Sequence, residues 1–102
     1  MVTDWPPQLA SLAQLSPNGF AERVECYVYG MEIANGFSEL TDPNEQRKRF
    51  EIELINRNQV GKSDVVLDHQ FLDSLEEGMP PSCGMALGIE RLLIWLLDVP
   101  FI

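Results

Sequence analysis

The sequence predicts an α+β fold, an antiparallel sheet flanked by helices, in a single partial domain spanning residues 1–102. Three observations carry this. Residues Arg23 to Val28 alternate in character with period two and run into Tyr29-Gly30, a strand followed by a two-residue hairpin turn. Two stretches, from Thr41 and from Asp68, open on capping residues and carry apolar side chains at helical spacing. Finally, Gly84-Met85-Ala86-Leu87-Gly88 is an extended run that leads at once into the apolar helix pattern Leu92 to Leu97.

In chain order, Pro6, Pro7 and Pro17 forbid a long helix in the first seventeen residues, so an extended leading segment with a short turn around Ser11 to Leu15 is expected. In the first strand, Val24, Cys26 and Val28 share one face and Arg23, Glu25 and Tyr27 the other. A Tyr29-Gly30 turn sets Tyr27 opposite Glu32 and Glu25 opposite Ala34, leaving Glu25 and Glu32 diagonal neighbours roughly 7 to 8 Å apart at the backbone. Asp42, Pro43 and Glu45 supply a cap, a first-turn proline and an acid for a helix to about Asn58, with Phe50, Leu54 and Ile55 inward. Gly61-Lys62-Ser63 is not a phosphate loop, because position 56 is asparagine where glycine is required. Asp68 caps a shorter helix with Phe71, Leu72 and Leu75 inward, which Gly78 ends before Pro80-Pro81.

Composition narrows the function classes. Hydrophobic content of 45% and charged content of 23% are ordinary globular values. Sixteen acids against seven bases give a formal charge of −9, so the chain lacks the positive field that drives phosphate-backbone binding, and no direct nucleic-acid binding is expected. Arg47-Lys48-Arg49 is diluted by Glu45 and Glu51 and reads as a solvated helix face. Cys26 and Cys83 are too few for a disulfide scaffold or zinc cluster; free, mostly buried thiols in a reducing cytoplasm are expected. The longest apolar tract, Leu92 to Leu97, falls far short of the ~20 residues a membrane helix needs.

The run Gly84-Met85-Ala86-Leu87-Gly88-Ile89-Glu90-Arg91 resembles motif 3 of the class II aminoacyl-tRNA synthetases. The block from Arg23 to Asp42 is similar to the stretch that precedes motif 3 in lysyl-tRNA synthetases, and Gln46 to Phe50, Asp68 to Leu72 and Gly78-Met79-Pro80 also match. This resemblance covers nearly the whole chain and implies the C-terminal part of a class II catalytic domain, truncated at both ends, with motif 3 at residues 84–97. Ala86 stands where lysyl-tRNA synthetases usually carry glycine; it is similar instead to the shorter paralogues that attach (R)-β-lysine to elongation factor P.

The site residues follow from both sources. Small residues at Gly84, Ala86 and Gly88 let a flat ligand lie against the backbone, and a guanidinium at a helix start suits a phosphate. By resemblance, Arg91 grips the terminal phosphate of ATP. Glu25 and Glu32 on one strand face repel each other and need a cation or a wet surface; the resemblance implies Mg²⁺ against the ATP phosphates. Asn35, Phe37 and Glu39 share a face by alternation, and the resemblance makes them the amino-acid pocket, with Glu39 taking the side-chain ammonium of lysine or (R)-β-lysine. Strict alternation puts Glu32 and Glu39 on opposite faces, so a bulge or sharp twist is expected near Asn35-Gly36. His69, Tyr27, Tyr29 and both tryptophans read as packing or surface residues.

The activity this implies is ATP-dependent formation of a lysyl or β-lysyl adenylate, passed to elongation factor P, in a cytoplasmic full-length homodimer. The 102-residue piece alone is expected to be inactive, since the other two signature motifs lie outside it. Two alternatives stand beside this: the C-terminal part of a lysyl-tRNA synthetase charging tRNA-Lys, and a non-catalytic paralogue or binding module.

Overall fold

Alternating side chains in β1 (Arg23–Val28) and β2 (Met31–Ser38) form the expected hairpin in the computed structural model, which describes residues 1–62 and 65–102. Tyr29 and Gly30 both take positive φ, 47° and 80°, the geometry that matches the twist of the paired strands. β3 (Cys83–Leu87) pairs antiparallel with β2, giving the order β1-β2-β3. The chain divides into two compact units, one made of Met1–Glu39 with Ser82–Ile102 and the other of Leu40–Pro81.

The register departs from the expected one at a single point. Tyr27 faces Glu32 as the turn dictates, but Cys26 faces Ala34 and Glu25 faces Asn35, so Ile33 is an extra residue in β2. The bulge therefore lies at Ile33, two to three residues before the expected Asn35-Gly36. Gly36 serves another purpose: a Cβ there would stand 2.9 Å from the Gly84 carbonyl oxygen and 3.1 Å from Met85 Cε. Gly36→Ala is expected to lower the stability of this chain by about 1–3 kcal/mol through overpacking. A lower urea midpoint would report it, and an unchanged midpoint would mean that β3 yields freely.

The leading segment is more ordered than its prolines suggested. Pro7–Leu9 form a short 3-10 turn, and a turn at Ser11-Leu12, closed by the Ala13 N–H donating to the Ala10 carbonyl at 2.8 Å, falls where one was expected. Val2 bridges to Glu25 and Trp5 to Ala21, laying the segment along the sheet. Ala10, Ala13 and Ala21 form the buried cluster of this unit, with Trp5 and Phe37 packed on it. The last element, α3 (Ile89–Leu97), starts at Gly88 and packs on β2. Cys26 is half-buried, but Cys83 is exposed, correcting the expectation of mostly buried thiols, because it begins the outer strand.

In the second unit, Asp42 Oδ1 accepts from the backbone N–H groups of Asn44 and Glu45, starting α1 (Pro43–Gln59). Gln46 is buried and Phe50 and Leu54 half-buried, but Ile55 is 56% exposed, not inward. The reason is angular: Leu54 lies about 40° around the helix from Phe50, and Ile55 about 140°. α2 (His69–Glu77) is capped by Asp68, whose carboxylate accepts from the Phe71 N–H. It buries Leu72 and Leu75, while the partly exposed Phe71 sets its ring 5.9 Å from that of Phe50. Arg47 pairs with Glu76 and Arg49 with Glu45; Lys48 is exposed, but the Arg49 side chain is only 18% exposed, so the face is not wholly solvated. Ser63, at the end of the Gly61-Lys62-Ser63 run, lies outside the described residues. Among the described residues no helix is long and apolar enough to cross a membrane.

Candidate functional site

The extra residue at Ile33 decides which side chains meet. Residues paired across a ladder share a face, so the register puts Arg23 with Phe37, Glu25 with Asn35, and Tyr27 with Glu32, all on one side. Without the bulge, Glu32 would point away from Asn35 and Phe37. β3 extends the same face, because Ala86 pairs with Asn35 and Gly84 with Phe37. Glu39, one further alternation beyond Phe37, brings its carboxylate over Gly84, where a Cβ would come within 2.8 Å of Oε1. The small residues of β3 thus form a low floor bordered by three glutamates.

Arg91 closes the other end. The bulge supplies its anchor: Gly88 N–H donates to the Ile33 carbonyl at 2.8 Å, and Arg91 Nη1 donates to the Glu32 carbonyl at 2.8 Å. Glu32 Oε2 lies 4.0 Å from the same nitrogen. A Cβ on Gly88 would stand in ordinary van der Waals contact with Arg91 Cδ, at 3.5 Å. The guanidinium reaches from α3 to Glu32 on β2, and the Arg91 side chain is 55% exposed.

Glu25 is the buried acid of the face, at 3% exposure. Its two oxygens accept from Arg23 Nη2 and from the Tyr27 hydroxyl. That hydrogen bond, together with burial and the negative charge of Glu25 and Glu32, raises the Tyr27 phenol above its ordinary value. Each acid of the pair therefore has an arginine beside it, Arg23 for Glu25 and Arg91 for Glu32. Asn35 Oδ1 is buried on this face with no hydrogen-bond partner among the described residues, an acceptor left open.

Glu25, Glu32, Asn35, Phe37, Ala86 and Gly84 are thus gathered on one surface, with Glu39 over Gly84 and Arg91 beside Glu32. Arg23, Tyr27 and Trp5 belong to the same surface and were not singled out by sequence; the alternation that placed Arg23 and Tyr27 beside Glu25 was the available signal. Among the described residues no group of three or more His, Cys, Asp or Glu is arranged to hold a metal ion. The donors present are oxygens of two carboxylates and one amide, a set that suits a hard cation bringing most of its ligands with it.

A family model described as tRNA synthetases class II (D, K and N) matches residues 1–102. The chain belongs to this family. Within it, a lysine–tRNA ligase of Buchnera aphidicola subsp. Cinara cedri (strain Cc) is 43% identical over 98 residues, covering 95% of this chain and 20% of the relative. Elongation factor P–(R)-beta-lysine ligases of Vibrio atlanticus (strain LGP32) and Haemophilus influenzae (strain PittGG) are 44% and 46% identical over 94% and 95% of the chain. The chain spans 20% to 31% of the length of these class II relatives. For a class II synthetase segment, the α+β architecture expected from sequence is the one observed: among the described residues, three antiparallel strands with three α-helices.

Proposed function

We propose that this chain is the C-terminal part of the catalytic domain of a lysine-type adenylate-forming ligase, and that its full-length protein activates (R)-β-lysine for transfer to elongation factor P. The observation that supports the reading is the bulge at Ile33, which brings Glu25, Glu32, Asn35 and Phe37 to one face, with Arg91 beside Glu32 and the small residues of β3 alongside.

In the reaction, the amino acid's carboxylate attacks the α-phosphorus of ATP and pyrophosphate leaves, so no general base is required and positioning and charge neutralisation supply the catalysis. Glu39 takes the substrate's side-chain ammonium, with Phe37 and Asn35 walling the pocket. Arg91 offers its exposed donors to the terminal phosphate. Glu25 and Glu32 would hold Mg²⁺, which would offset the phosphate charge, and the open Asn35 acceptor fits the polar end of the substrate. The chain supplies only this side of the site, and on its own it is expected to lack ligase activity.

Ala86 supports the choice of (R)-β-lysine. Its methyl group faces the pocket beside Asn35, where it crowds an α-amino group and leaves room for an amine one carbon along. One methyl in a pocket is worth roughly 10- to 200-fold in discrimination. Ala86→Gly in the full-length protein is therefore expected to shift the ratio of pyrophosphate exchange with (R)-β-lysine to that with α-lysine by about tenfold or more towards α-lysine. An unchanged ratio removes the support for the elongation factor P ligase. The second reading, a lysyl-tRNA synthetase acting on tRNA-Lys, draws on the 43% identity to a lysine–tRNA ligase. It requires wild-type preference for α-lysine.

A further inference from the structure

Arg23 is held more firmly than a surface ion pair needs. Its guanidinium carbon lies 4.6 Å from the centre of the Trp5 ring and 5.7 Å from that of Phe37. Nη1 donates to the Leu9 carbonyl at 2.8 Å, and Nη2 donates to Glu25 Oε1. The leading segment, β1 and β2 all contribute, so the planar fork has little rotamer freedom left. Glu25 is fixed at its backbone too, since its N–H and C=O pair with Val2 at 3.0 and 2.8 Å. Tyr27 completes the cradle by donating to Oε2.

A carboxylate oxygen carries two lone pairs, so each Glu25 oxygen that accepts one bond here keeps one for another partner. The geometry points to Arg23 as a positioning residue that, with Tyr27, presets the Glu25 carboxylate for a divalent cation shared with Glu32. This rests on the metal role proposed above for the two acids. Groups that orient a metal ligand typically govern affinity by on the order of 10- to 100-fold. Trp5 and Leu9 acquire a function through Arg23: the leading segment acts as the clamp that holds the guanidinium in place.

The sign of the effect separates this role from plain charge or packing. Deleting a cation beside a cation site strengthens the site's attraction by charge alone, so weaker metal binding by the folded variant runs against the charge effect and, where Trp5→Leu shows it with every charge kept, reports lost positioning. The test is Mn²⁺ titrated into the full-length protein with a non-hydrolysable ATP analogue, with free Mn²⁺ read by electron paramagnetic resonance. Arg23→Gln is expected to weaken Mn²⁺ binding by about 10- to 100-fold, and Arg23→Lys to restore little, because an ammonium cannot stack and bridge as the fork does. Trp5→Leu, which keeps every charge, is expected to weaken it severalfold and carries the test if Arg23→Gln does not fold. Equal or tighter Mn²⁺ binding in Arg23→Gln, or in Trp5→Leu where only that variant folds, overturns the positioning role provided Glu25→Gln weakens binding. Unchanged binding in both Glu25→Gln and Glu32→Gln overturns the metal reading itself, and the role of Arg23 with it.

Discussion

Arg91→Ala in the full-length protein is expected to lower the rate of lysine-dependent pyrophosphate exchange by on the order of 10²- to 10³-fold, the usual cost of removing one preorganised donor from developing charge. The guanidinium is fixed by the Glu32 carbonyl through Nη1 while its side chain stays 55% exposed, so it is anchored at one end and available at the other. Arg91→Lys is expected to recover only part of the rate, since a point charge lacks the fork that matches a phosphate. Were Arg91 only the partner of Glu32, its loss would remove a half-exposed ion pair worth at most about 1 kcal/mol. Exchange per folded molecule would then be unchanged, and the phosphate role would fall.

What the sequence disclosed about this face, and what it hid, divides along physical lines. Turns and caps are local chemistry, so Tyr29-Gly30, Asp42 and Asp68 could be placed to within a residue or two. The bulge is not local. Ile33 sits among Met31, Glu32 and Ala34, and nothing in that run marks which residue will go unpaired. The conflict between Glu32 and Glu39 revealed that a bulge must exist; Gly36 misdirected its position, because a glycine needed for close approach to Gly84 reads the same as one needed for a kink. The alanine cluster of Ala10, Ala13 and Ala21 was equally hidden, as small side chains leave no amphipathic pattern in a proline-broken segment. Tyr27 read as a packing or surface residue because its hydrogen bond to Glu25 appears only in the folded strand.

Glu39→Gln is expected to reduce kcat/KM for the lysine-type substrate by about 100-fold, mostly through KM, because it leaves the ammonium of a bound substrate without its counter-charge. Nucleotide binding measured without amino acid should not move, since Glu39 lies over Gly84 at the end of the face away from Arg91. A second substitution tests the same carboxylate without touching it. Gly84→Ala places a Cβ 2.8 Å from Glu39 Oε1, a distance that forces the acid to shift. It is therefore expected to raise KM in the same direction, by less, and to add little when combined with Glu39→Gln, because both act on one interaction. If Glu39→Gln left KM within about twofold of wild type while Arg91→Ala abolished exchange, the phosphate end of the face would stand. The ammonium would then have to be received by some other group.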